Sequence, residues 1–207
     1  YGKQFNSVEI NNTFYRVPKA DVVISWAEKV LPEFRFVLKL TRRITHLKRL
    51  KNVEEETPYF LDIATNLGDR LGAILFQMPP NLKKDMDRLQ TFLGLLPEGS
   101  SVAMEFRNDS WFDDEVFECL KEKGIALCFA HEDDDTADKV ESRFQSTASW
   151  GYLRLRGSEY GEEELAAWAE KVAEQKWDRA FVFFKHEDAG AGPALADLFV
   201  KELESEV

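Results

Sequence analysis

An acid and a base lie close together at the end of one apolar stretch. Residues 101–111, SVAMEFRNDSW, alternate apolar and polar side chains with the period of a β-strand, and Glu105 and Arg107 are two positions apart within it. Side chains two apart on a strand point to the same face, so we expect this carboxylate and this guanidinium to be neighbours. A carboxyl group held beside a cation can serve as a general acid or base. The catalytic candidates are Glu105, Glu9 and His46.

Other predicted strands also end in polar side chains. Residues 5–11, FNSVEIN, end in Glu9 and Asn11, and residues 34–40, FRFVLKL, carry Lys39 near their end. Carboxyl ends of parallel strands meet at one rim of a barrel, where barrel enzymes carry their active sites. The strand ends hold five bases and two acids, a surplus of three positive charges, which predicts a site for a small anionic ligand. The alternative is that these charges only pair among themselves. The predicted ligand-binding residues are Asn11, Tyr15, Lys39, Gln77, Arg107, Trp111, Arg154, Arg156, Lys185, His186, Gly190 and Gly192.

Two small-residue loops follow the last two predicted strands. They are Arg156-Gly157-Ser158 and residues 189–192, AGAG. Barrels often bind phosphate between these two loops, through backbone N–H groups at the start of a helix. We therefore expect free N–H groups there, beside arginines. The alternative is that the glycines only turn the chain into its last helix.

A metal site is the first competing hypothesis. The tripeptide His-Glu-Asp occurs at 131–133 and at 186–188, and together with His46 it could supply three imidazoles and several carboxylates to zinc or manganese. However, no HExxH, paired CxxC or HxH spacing is present, and nearby lysines and arginines would repel a dication. We predict no metal and no cofactor, with a metal-dependent phosphodiesterase as an alternative function. A nucleotide or nucleic-acid binding module that uses the basic residues 42–51 is another.

Alternating strands and helices must position these residues. Seven apolar strands are predicted, with about six helices between them, and this order favours a parallel sheet covered by helices. A (β/α)8 barrel has eight strands and typically about 250 residues. We therefore predict a TIM-barrel-like α/β fold as a single domain, 1–207, in which the first of the eight strands is missing.

Composition narrows the classes of partner. The net charge of −11 disfavours nucleic acid as a partner but leaves room for a small basic pocket. No apolar run has membrane-spanning length, no leader segment opens the chain, and two cysteines do not make a disulfide framework. We expect a cytoplasmic protein with no membrane partner. The oligomeric state stays open.

Five segments in this order resemble one known family. They are FNSVEINNTFY, ITHLKRL, LGAILFQMPP, VAMEFRNDSW and YLRLRG, and together they resemble the YecE-like family, also called domain of unknown function seventy-two. The resemblance implies a TIM-barrel-like, intracellular protein and no established activity. Its signature positions here are Glu9, Asn11, Phe14, Tyr15, Thr45, His46, Gln77, Pro79, Glu105, Arg107, Trp111, Arg154 and Gly157.

The chain departs from the family pattern in three places. The Gly- and Trp-rich first strand of the family is absent here. Arg156-Gly157 stands where the family usually has a His-Gly-like pair, and residues 185–188, KHED, replace asparagines at the end of the last strand. The last two differences make the mouth of the expected site more charged.

Overall fold

The computed structural model describes residues 5–184 and 191–206, and the chain divides into two compact units. The first unit is Tyr1–Ile125 and the second is Ala126–Val207. The predicted ligand-binding residues Lys185, His186 and Gly190 lie outside the described residues. Each unit is described in turn below.

The first unit contains four parallel strands that pair in chain order. They are β1 (Ser7–Ile10), β2 (Arg35–Lys39), β3 (Leu71–Gln77) and β4 (Val102–Glu105). Its helices are α1 (Asn12–Tyr15), α2 (Ala20–Glu28), α3 (Glu56–Thr65), α4 (Met86–Leu93) and α5 (Asp114–Glu122). The register places Gln77 opposite Glu105, the last residues of their strands. Because the strands are parallel, Glu9, Lys39, Gln77 and Glu105 all lie at carboxyl ends.

The second unit continues the same alternation. Its strands are β5 (Ala126–His131), β6 (Trp150–Leu155) and β7 (Arg179–Phe184), which pair in parallel in that order. Its helices are α6 (Ala137–Arg143), α7 (Glu162–Ala173) and α8 (Ala191–Glu206). A core of buried apolar side chains from β5, β6, α7 and α8 holds these elements together.

Parallel strands alternating with helices make this a TIM-barrel-like α/β fold, as the sequence predicts. The described residues contain seven strands, the number that the apolar pattern indicates. They contain eight α-helices rather than the predicted six or so, and the two additional ones are the short helices α1 and α6. The helix α3 begins at Glu56, and Thr57 lies inside it, fully buried.

Some residues that read as turn or pocket residues belong to the core of the first unit. Trp111 is fully buried, its ring stacks on Phe106 at 4.6 Å between centroids, and its Nε1 donates to the carbonyl of Leu82 at 2.7 Å. An indole N–H in the core needs such an acceptor. Trp111 therefore ties the β4 end to the segment after β3 from inside the core.

No helix among the described residues combines the length and the apolar character that crossing a membrane would require.

Candidate functional site

The buried carboxylate of Glu105 binds two other polar side chains at the strand ends of the first unit. Glu105 is 0% exposed, and its Oε1 accepts hydrogen bonds from Gln77 Nε2 at 2.7 Å and from Arg107 Nε at 2.9 Å. The contact with Gln77 follows from the β3–β4 register, and the contact with Arg107 from their spacing. A carboxylate this deeply buried needs charged and hydrogen-bonding partners. It therefore fixes both side chains.

The guanidinium of Arg107 is attached to Glu105 by one edge only. Its side chain is 33% exposed, and the bond to Glu105 uses Nε. Within residues 5–184 and 191–206, no hydrogen bond is made by its two terminal nitrogens, Nη1 and Nη2. These are the nitrogens of the fork that binds carboxylate or phosphate in a bidentate way. The buried acid thus holds an arginine fork in place and leaves its outer edge for another partner.

Phe14 brings three further residues together beside this pair. Its ring centroid lies 4.4 Å from Lys39 Nζ, 4.9 Å from the His46 ring and 5.1 Å from the Tyr15 ring. Lys39 is almost fully buried, whereas Tyr15 is 68% exposed and has the guanidinium of Arg42 over its ring. The cation–π contact with Phe14 is one of the interactions that stabilise the nearly buried ammonium of Lys39. Lys39, His46 and Tyr15 therefore share one surface of the first unit.

His46 is a neutral imidazole in a locally positive environment. Burial lowers the pKa of His46 most, Lys39 and then Arg107 lower it further, and Glu105 opposes them with the smallest effect. The ring sits in a π-helical turn, Arg43–Leu47, a conformation that recurs at functional sites. Its Nδ1 is 2.9 Å from the hydroxyl of Thr45, which is fully buried. At neutral pH the ring can accept a proton.

The two remaining candidates at the end of the first β-strand, Glu9 and Asn11, contact each other. Asn11 Nδ2 donates to Glu9 Oε1 at 3.0 Å, and Asn11 is exposed. At the strand ends of the first unit, two carboxylates, Glu9 and Glu105, accompany two cations, Lys39 and Arg107. The predicted surplus of three positive charges combines residues of both units and stays a prediction.

The second unit uses the predicted phosphate loop for its own contacts. Gly157 N donates to Tyr160 Oη at 2.9 Å, Ser158 N donates to Asp133 Oδ1 at 2.7 Å, and Arg156 pairs with Glu132 at 3.0 Å. The expectation of free N–H groups is therefore wrong for Gly157 and Ser158, because neighbouring side chains occupy both. Arg154 is half-buried on β6, and Gly192 is buried in the first turns of α8.

No group of three His, Cys, Asp or Glu side chains within 5–184 and 191–206 is arranged to hold a metal ion. His131, one of the three imidazoles of the metal hypothesis, has its Nδ1 bonded to Tyr160 Oη at 2.7 Å, and His186 lies outside the described residues.

Sequence reasoning missed two residues that organise the site. Phe14 is indicated only by the family resemblance, yet it contacts Lys39, His46 and Tyr15. Thr45 was noted only through the family resemblance, yet its hydroxyl binds the His46 ring. The available signal was adjacency, since each neighbours a residue already selected. The contacts of both residues with His46 depend on the π-helical turn, which no spacing rule indicates.

Solved structures of related proteins have the same fold. A DUF72 family protein of Enterococcus faecalis V583 superposes with a TM-score of 0.85 at 22% identity, covering 99% of this chain and 92% of that one. Another, from Thermotoga maritima MSB8, gives 0.77 at 27% identity, covering 97% and 85%. These likenesses support the fold and leave the ligand open.

Sequence comparison gives the family. The UPF0759 protein YecE of Escherichia coli K12 is 32% identical over 113 residues, which is 54% of this chain and 42% of that protein. The chain thus matches less than half the length of this curated relative. The family model described as "Protein of unknown function DUF72" matches residues 1–207. Because this match spans the whole chain, the chain belongs to the DUF72 family.

Proposed function

We propose that the first unit binds a small anion, one that carries a phosphate or carboxylate group, at the outer edge of Arg107. The observation that supports this proposal is that the guanidinium of Arg107 is bonded through one edge only to the fully buried carboxylate of Glu105. An arginine held in this way loses little conformational entropy when its fork closes on a ligand. Lys39 provides a second cation at the neighbouring strand ends.

The electrostatics at His46 support an anion rather than a cation. Lys39 and Arg107 each influence the pKa of His46 more than Glu105 does, so the local potential at the ring is positive. Such a potential concentrates small anions even on a protein whose net charge is −11. If the ligand is a substrate, His46 and Glu105 are the groups for acid–base chemistry of a hydrolase or lyase type.

The test is a titration of the full chain with inorganic phosphate and, separately, with citrate. We expect either anion to raise Tm, because a ligand that binds the folded chain stabilises it. In an NMR titration, phosphate should raise the pKa of His46, because a bound anion stabilises the imidazolium. Arg107→Ala should weaken binding about 10- to 100-fold, since a hydrogen bond to a charged group contributes about 1.5–3 kcal/mol. Arg107→Lys keeps the positive charge without the guanidinium fork, so its affinity for phosphate should lie between those of the unaltered chain and Arg107→Ala.

Lys121→Ala is the matched control. It removes one positive charge from the exposed last turn of α5, where Lys121 pairs with Glu118 at 2.8 Å. That turn lies far from Arg107. Arg107 follows the carboxyl end of β4, and α5 runs back from there towards the amino end of the strand. Equal loss of binding in Lys121→Ala and Arg107→Ala, or no effect of either anion on the unaltered chain, would contradict the proposal.

A further inference from the structure

Two histidines in the described residues each contact a hydroxyl group through Nδ1. His46 Nδ1 lies 2.9 Å from Thr45 Oγ1, and His131 Nδ1 lies 2.7 Å from Tyr160 Oη. A neutral imidazole carries one proton, on one nitrogen, and the other nitrogen presents a lone pair. A hydroxyl also has a single proton. The direction in which each hydroxyl donates therefore determines which nitrogen of the ring is available as a base.

The hydroxyl of Thr45 has a backbone acceptor of its own. Its Oγ1 is within 3.4 Å of the carbonyl oxygen of Thr41, four residues earlier, the usual acceptor for a helical threonine. When the hydroxyl donates there, its oxygen accepts the Nδ1–H of His46. The lone pair of the ring is then on Nε2, which makes no hydrogen bond with residues 5–184 or 191–206.

The charges around the ring keep it neutral. The groups that act on His46 are the cations Lys39 and Arg107 and the carboxylate of Glu105. Phe14 packs against the ring at an interplanar angle of 86° and offers no hydrogen bond. Cations near the ring disfavour the doubly protonated imidazolium, so the ring stays neutral and one of its nitrogens keeps a lone pair.

We propose that Thr45 is a positioning residue that holds neutral His46 with its proton on Nδ1, so that Nε2 is the general base of the site. This inference rests on the proposed function, which supplies the substrate. The substrate here is an anion that also carries a hydroxyl group. In the step, the O–H bond of the substrate breaks and its proton forms a bond to Nε2. The electron pair stays on the oxygen, where Lys39 and Arg107 stabilise the new negative charge.

His131 has the opposite arrangement and serves as an internal control. Tyr160 Oη already accepts the N–H of Gly157 at 2.9 Å, and burial above all raises the pKa of this phenol, so it keeps its proton. That proton has the Nδ1 lone pair of His131 as its acceptor at 2.7 Å. The proton of the His131 ring is therefore on Nε2.

The test is NMR of the full chain with ¹⁵N-labelled histidine at about pH 7.5, where unperturbed histidine is neutral. The three histidines are assigned with His46→Gln, His131→Gln and His186→Gln. We expect a protonated Nδ1 and a lone-pair Nε2 for His46, and the reverse for His131. Thr45→Val should move His46 towards the Nε2–H form, Thr45→Ser should restore the original spectrum, and neither should change His131.

Each other outcome overturns the assignment. If the His46 ring of the unaltered chain is protonated on Nε2 at this pH, or on both nitrogens, the proposed tautomer is wrong. A tautomer that does not change in Thr45→Val removes Thr45 from the role. Because these spectra need no ligand, the result is separate from the outcome of the phosphate titration.

Discussion

At the scale of single residues, the stability of the first unit depends on how well Glu105 is satisfied. Gln77→Leu keeps the size of the side chain but removes the Nε2 donor of the 2.7 Å bond to this buried carboxylate. We expect a loss of about 1–3 kcal/mol in the free energy of unfolding, the cost of a buried acceptor that loses a partner. Urea unfolding of the full chain measures this loss.

Gln90→Leu is the control for that prediction. Gln90 is exposed on α4 in the same unit, so the same chemical change there should alter stability by no more than about 0.5 kcal/mol. If the two leucine variants unfold at the same urea concentration, the Gln77 bond contributes nothing measurable and the description of Glu105 as a carboxylate that depends on it is wrong.

The same residues show how far sequence reasoning reaches. The Glu105–Arg107 contact is predictable, because it follows from the two-residue period of a strand. The Gln77–Glu105 contact is not, because it depends on the register between β3 and β4, which the packing of distant residues sets. Trp111 follows the turn residues Asn108-Asp109-Ser110, and only the structure, which buries it and stacks it on Phe106, places it in the core.

At the scale of elements, the π-helical turn ends in a strained segment. Arg49 and Leu50 have φ of 51° and 65°, in the left-handed region that costs residues other than glycine about 1–2 kcal/mol. Buried Leu50 and the pairing of Lys48 with Glu56 hold the segment there. Strain next to a candidate site is often stored for function.

Glycine substitution tests this strain. Arg49 and Lys51 are both exposed, but only Arg49 has a positive φ. Arg49→Gly should therefore be more stable than Lys51→Gly by about 1 kcal/mol, because glycine relieves the left-handed conformation at one position and only adds chain entropy at the other. Thermal unfolding of the two variants compares them directly. Equal stability would mean that the turn is not strained at Arg49.

The two helices that the sequence did not reveal, α1 and α6, both lack a periodic apolar stripe. The helix α1 has four residues, too few for a periodic stripe, and Thr13 holds it through bonds to the carbonyls of Ile10 and Lys39. The helix α6 has no fully buried side chain, so its sequence reads as a polar connection. By contrast, α5 has the apolar stripe and the N-cap, Asp113, that made it predictable.

At the scale of the whole molecule, charge decides which partners are excluded. The chain carries 38 acidic and 27 basic residues, and its sequence pI is about 4.9. Within the basic stretch 42–51, Arg43 and Lys48 pair with Glu56, and Arg42 lies over the Tyr15 ring. Such a stretch offers few cations to a polyanion, whereas a single phosphate needs only one guanidinium fork.

We therefore expect a single-stranded DNA or RNA of about ten nucleotides to bind no more tightly than inorganic phosphate at about 0.15 M salt. The measurement is fluorescence anisotropy of a labelled oligonucleotide across a range of salt concentrations. A polyanion that engages a basic surface loses affinity with a slope of about −0.7 per phosphate contact in a plot of log K against log salt. A tight complex with a slope of about −3, abolished when Arg42, Arg49 and Lys51 are all changed to Ala, would show that the basic stretch binds nucleic acid. That result would replace the small anion with an oligonucleotide as the ligand of this unit, because the stretch includes His46, whose pKa both Lys39 and Arg107 lower.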